Sequence, residues 1–172
     1  IRYVLGSRGL GDVYKRQGHH ETTTLMLQAI LATDFTGCSV LDMGCGTAVL
    51  AILAGMKGAS PVVAVDIDEV ATENAQENVR LNGEPDIEVR LGGIEVLKQE
   101  TFDFIFANIN RNILLSDMHA YAERMKSGSH LFMSGFYVED IPAIRSEAER
   151  LGLRFAGHAE KNRWARVECV KD

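Results

Sequence analysis

What most limits the folds open to this chain is a regular alternation of short apolar runs with helix-patterned stretches. "TTTLMLQAILA" (22–32) reads as a helix, with threonines available to cap it. "SVLDM" (39–43) is a short apolar strand, and "AVLAILAGMKG" (48–58) is a helix of small and aliphatic residues closed by a glycine. "PVVAVDI" (61–67) reads as a buried strand and "EVATENAQENVRLNG" (69–83) as an amphipathic helix. Strands follow over 87–92, 102–109 and 129–135, with helices over 113–126 and 138–152. Pro142 falls in the first turn of the last helix, where proline is tolerated. Two final strands, 153–160 and 163–170, are separated only by Lys161 and Asn162 and therefore form a hairpin. This pattern predicts an α/β fold: a mostly parallel sheet covered by helices on both faces, with an antiparallel strand added by the hairpin.

The pattern holds from Gly18 to the C-terminus and breaks before it. Residues 1–17, "IRYVLGSRGLGDVYKRQ", are basic, broken by glycines and without a sustained period. They read as a foreign leader joined near Gln17–Gly18, the alternative being a native disordered N-terminus. Residues 18–172 are expected to form one domain. A net charge of −6 argues against a dedicated nucleic-acid binder. No apolar run approaches the roughly 20 residues needed to span a bilayer. The three cysteines, Cys38, Cys45 and Cys169, have neither metal-ligand spacing nor the look of a disulfide framework. A cytoplasmic protein with no bound metal is expected.

The chemistry concentrates in "VLDMGCGTAVL" (40–50). In an open parallel sheet the ligand lies at the carboxyl ends of the strands, where the strand order reverses. The first strand ends at Met43, so Gly44 and Gly46 lie at that point and let a ligand approach the backbone. A dinucleotide would call for glycine at the sixth position of G-x-G-x-x-G, which here is Val49; a nucleoside triphosphate would call for a lysine followed by serine or threonine, which is absent. S-adenosylmethionine carries no phosphate but has a cationic amino-acid end, which Asp42 can attract directly or through water. A tight strand–helix turn without a ligand is the competing reading. The second strand ends at Asp66, 20 residues beyond Gly46, where a carboxylate accepts hydrogen bonds from a ribose diol. A helix cap is the alternative role there, and Asp68 suits it better because Glu69 opens the helix.

"GHHETT" (18–23), "VLDMGCGTAVLAI" (40–52), "VVAVDID" (62–68) and "FIFANI" (104–109), in that order and spacing, resemble the PrmA family, methyltransferases of a large-subunit ribosomal protein. The closing "NRWARVECV" is similar to the family's last strand. The resemblance implies a Rossmann-like, seven-stranded class I S-adenosylmethionine-dependent methyltransferase acting on amino groups of that ribosomal protein. It matches Thr23, Gly44, Asp66 and Asn108 to the family's donor contacts. The amide oxygen of Asn108 and the carbonyl of Ile109 suit an acceptor amine, whose hydrogens need fixed oxygens. The alternative for Asn108 is to cap the following helix. The chain departs from the family in having Ala48 where the family has glycine, and "KRQ" before "GHH". The resemblance also implies an N-terminal recognition domain, which this sequence is expected to lack. A methyltransferase for another acceptor, and a donor-binding module without turnover, remain as alternatives.

Overall fold

The computed structural model describes residues 13–84 and 86–172, with side chains from His20 onward. Seven strands form one sheet: β1 (Val40–Met43), β2 (Val62–Asp66), β3 (Ile87–Leu91), β4 (Phe102–Asn108), β5 (Met125–Tyr137), β6 (Leu153–Lys161) and β7 (Trp164–Lys171). Their order is β3-β2-β1-β4-β5-β7-β6. β1 to β5 are mutually parallel, and β7 is antiparallel to both of its neighbours. The expected hairpin therefore inserts its second strand inside the sheet and leaves its first at the edge.

Five helices cover the faces: α1 (Val13–Ala32), α2 (Val49–Met56), α3 (Glu69–Leu81), α4 (Arg111–Glu123) and α5 (Ile141–Arg150). One core joins Met26 and Ile30 of α1, Leu50 and Ile52 of α2, and Ala75 and Val79 of α3 to a face carrying Phe104, Phe106 and Phe132. The other joins Leu114, Met118 and Tyr121 of α4 and Ile144 and Ala148 of α5 to Leu41, Ile105, Leu131 and Val167. Alternating sheet residues thus feed opposite cores, as the two-residue period of a strand requires. β1 and β2 read as continuous apolar runs because both of their faces are covered.

Local chemistry sets several boundaries. Asp68 caps α3 by accepting from Val70 N at 2.8 Å and Ala71 N at 3.3 Å. Asn110 caps α4 by accepting from Ile113 N at 3.1 Å. That helix starts at Arg111 rather than 113. α1 starts at Val13 rather than Thr22 and runs through the expected join, so Val13–Gln17 of the expected leader are helical; residues 1–12 lie outside the described residues. β5 extends over 13 residues where the sequence pattern marks only 129–135. Among the described residues, no helix is long and apolar enough to cross a membrane, and no cluster of ligating side chains could hold a metal ion.

Candidate functional site

β1 sits between β2 and β4, so the chain leaves it in one direction and returns on the other side. The crevice this opens at the carboxyl ends of the strands is where ligands bind in doubly wound sheets. The turn after β1 fills its floor. Gly44, Gly46 and Ala48 all have left-handed backbone, with φ of 66°, 54° and 60°. The turn is tied to its neighbours at three points. Cys45 N donates to Val65 O at 3.0 Å, Gly46 N to Asp66 Oδ2 at 2.8 Å, and Asn78 Nδ2 of α3 to Thr47 O at 3.0 Å.

The two glycines serve different ends. Nothing lies within 4 Å of a Cβ built on Gly46, so that side of the turn is open. At Gly44 the space is taken by the protein itself: a Cβ there would overlap Cγ2 of Ile109. The expectation of close ligand approach therefore fits Gly46, while Gly44 makes room for the loop after β4.

Asp42 lies two residues before Gly44 and is fully buried, with Oδ2 accepting from Ala51 N at 3.2 Å, inside the first turn of α2. Burial pushes its carboxyl up to about 7; the Ala51 N–H opposes that rise, and the charge of Asp66 adds to it. Its Oδ1 is buried and has no hydrogen-bond partner. Asp66, at the end of β2, uses Oδ2 for Gly46 N and Oδ1 for Asp68 N at 3.0 Å. Each oxygen retains a second lone pair. Beside it Ile67 and Leu91 are 77 % and 52 % exposed, large apolar side chains that no packing accounts for.

Asn108 ends β4. Its Nδ2 donates to Thr23 Oγ1 of α1 at 3.3 Å, which leaves Oδ1 buried and without a partner. The capping role belongs to Asn110, so the alternative reading of Asn108 falls away. Ile109 N donates to Ser134 O of β5 at 3.1 Å. The structure thus brings Thr23, Asn108, Ile109 and Gly44 into one chain of contacts, with Gly46 and Asp66 joined beside it. Trp164 packs against Tyr137 with ring centroids 4.1 Å apart and ring planes tilted by 33°. His20 is exposed. Sequence reasoning missed Asn78, Ile67 and Leu91. The one signal was a polar residue, Asn78, among the apolar Ala75 and Val79 of α3; Ile67, expected within the second strand, lies just past the end of β2 and is exposed.

A seven-stranded sheet with this order, one antiparallel strand next to the edge, a glycine turn after β1 and an acid at the end of β2 defines the class I methyltransferase fold. Within that class the chain belongs to the ribosomal protein L11 methyltransferase (PrmA) family, whose model matches residues 17–172. It is 57 % identical over 154 residues to a ribosomal protein L11 methyltransferase of Bacteroides fragilis, covering 89 % of this chain and 55 % of that one. The corresponding protein of Phocaeicola vulgatus is 54 % identical, with the same coverage. The chain spans about half the length of these curated relatives. Among solved structures, the ribosomal protein L11 methylase of Lactobacillus delbrueckii subsp. bulgaricus superposes with a TM-score of 0.82 at 28 % identity, covering 88 % of this chain and 79 % of that one. Magnesium protoporphyrin IX methyltransferase of Synechocystis, solved with bound S-adenosylmethionine, gives 0.74 at 19 % identity over 95 % and 87 % of the two chains, a likeness of fold alone.

Proposed function

We propose that residues 18–172 are the catalytic domain of an S-adenosylmethionine-dependent N-methyltransferase. Its acceptor is an amino group, a lysine side chain or an N-terminal amine, of large-subunit ribosomal protein L11. The observation that carries this reading is the pair of buried, partnerless oxygens flanking the glycine turn, Asp42 Oδ1 and Asn108 Oδ1. Buried acceptors without partners are costly, and two at one crevice point to a ligand rich in donors.

The residues fit the donor. Asp42 faces its cationic amino-acid end, the open side of Gly46 admits it against the backbone, and the remaining lone pairs of Asp66 accept from the ribose diol. Ile67 and Leu91 supply apolar cover for a flat base. When bound, S-adenosylmethionine supplies a methyl group on a positively charged sulfur, open to direct displacement. The protein's part is to hold a neutral amine in line with it. Lysine ordinarily titrates at about 10.4, so the site must select the unprotonated form. Asn108 Oδ1 and the Ile109 carbonyl accept the two amine hydrogens and leave the nitrogen lone pair aimed at the crevice. Thr23 holds the Asn108 amide with its oxygen turned to that task.

Calorimetric titration with S-adenosylhomocysteine tests the donor half, and binding at one site per chain is expected. Asn108→Ala tests the acceptor half: turnover on purified ribosomal protein L11 should fall by about 10²-fold or more, with affinity for S-adenosylhomocysteine nearly kept. Loss of affinity with turnover preserved at saturating donor would make Asn108 a donor contact only.

A further inference from the structure

Ile109 is packed between a glycine of the turn after β1 and a glycine of β5. Its side chain fills the space over Gly44, and its main chain lies against Gly135 of β5. A Cβ on Gly135 would overlap the Ile109 carbonyl oxygen and stand 2.6 Å from its carbonyl carbon and 3.0 Å from its nitrogen. All three are backbone atoms, which cannot swing aside as a side-chain tip would. Gly135 also has φ of 102°, where side chains are rarely tolerated.

Gly135 is the extra residue of a β-bulge. Ser134 pairs with Arg166 and Phe136 with Ala165, so β5 has one residue more than β7 across this step. Ser134 pins the bulge on both sides: its buried Oγ donates to Ala165 O at 2.6 Å, and its carbonyl accepts from Ile109 N. A bulge beside a site commonly re-aims a group that a regular strand would leave misdirected.

We infer that Gly135 is a positioning residue: the bulge sets the direction of the Ile109 carbonyl and so completes the pair of oxygens that receives the acceptor amine. This rests on the function proposed above. Two acceptors orient one amine only when both are fixed. Thr23 fixes Asn108 Oδ1, and Gly135 fixes the Ile109 carbonyl, while Gly44 receives only the side chain of Ile109.

Gly128 provides a matched control. It lies on the same strand with φ of 84°, and nothing stands within 4 Å of a Cβ built on it. Gly128→Ala therefore adds backbone strain without overlap. The full chain, Gly135→Ala, Gly128→Ala and Ser134→Ala are compared in three measurements: affinity for S-adenosylhomocysteine, the 13C shift of the Ile109 carbonyl, and kcat and KM for methyl transfer to ribosomal protein L11. All four should bind S-adenosylhomocysteine within about threefold of one another. Gly135→Ala should move the carbonyl resonance and lower kcat by about 10²-fold, the usual cost of a misplacement near 1 Å. Ser134→Ala, which loosens the bulge without overfilling it, should move the same resonance and lower kcat about tenfold, and it decides the matter if Gly135→Ala does not fold. Gly128→Ala should do neither. An unmoved carbonyl resonance, or equal loss of turnover in Gly128→Ala, overturns the inference. Failure of the unsubstituted chain to bind S-adenosylhomocysteine overturns the proposed function instead, and the carbonyl shift still decides whether Gly135 holds Ile109.

Discussion

On the proposed function, Asp42 ties donor binding to pH. Its carboxyl ionises near 7 in the folded protein, against 3.8 for an ordinary aspartate. Between those values the folded state holds the extra proton, so this group makes stability fall as pH rises from about 4 to 7. Binding a cationic ligand runs the other way, because it favours the carboxylate. Affinity for S-adenosylhomocysteine should climb through pH 7 and be about tenfold weaker at pH 6 than at its plateau. Asp42→Asn should flatten both trends, giving a protein more stable above pH 7 that binds the ligand more weakly. Calorimetry at pH 6, 7 and 8 checks this, and an unmodified protein with pH-independent affinity would contradict it. Asp66 is a different case. Its oxygens hold Gly46 N and Asp68 N, so Asp66→Ala should loosen the turn as well as lower affinity by roughly ten- to hundredfold. Asp68→Ala should cost about 1 kcal/mol of stability and leave affinity alone, as read from thermal melts alongside titrations.

At the scale of elements, α2 carries a strain that glycine would relieve. Ala48 caps it with left-handed backbone, fully buried, at the position where the family resemblance has glycine. The left-handed backbone at this position itself favours glycine. A left-handed alanine costs roughly 1–2 kcal/mol, partly offset by glycine's greater freedom when unfolded. Ala48→Gly should therefore stabilise by about 0.5–1 kcal/mol and raise the melting midpoint by about 2 °C. Apolar runs and the Asp68 cap were legible in the sequence because they depend on neighbours along the chain. The left-handed turn at Ala48 was not, since alanine reads as the first residue of a helix. The length of β5 was hidden by "KSGS", which has the composition of a loop yet lies within the strand. Thr23 and Asn108 are 85 positions apart, and no local pattern pairs them; only their match to family motifs put both in the site. Gly135 gave no sign at all, because its importance is a contact with another strand's loop.

The whole molecule delivers α1 to the site through its far edge. Glu21 accepts from Asn162 Nδ2 at 2.8 Å and pairs with Lys161 Nζ at 3.0 Å, so the tip of the β6–β7 hairpin grips the helix two residues before Thr23. Arg163 of the same tip pairs with Glu139 beyond β5. On the proposed function, donor binding should need only these local parts. On the same reading, holding a ribosomal protein should need remote contacts, which lower the barrier as well as the dissociation constant. Replacing residues 1–17 with the N-terminal portion of a full-length relative should raise methylation of ribosomal protein L11 by about a thousandfold, the equivalent of about 4 kcal/mol, at unchanged affinity for S-adenosylhomocysteine. Mass spectrometry of the acceptor reads the outcome; equal rates would mean that this domain recognises its substrate unaided.

The insertion of β7 between β5 and β6 also has a bearing on how the protein is made. β6 is synthesised first but has no place in the sheet until β7 follows it off the ribosome. Until then β5 stands as an uncovered edge 13 residues long, a template for mispairing with other chains. A nascent chain stalled before Trp164 is thus exposed to that hazard, and release of β7 covers the edge of β5.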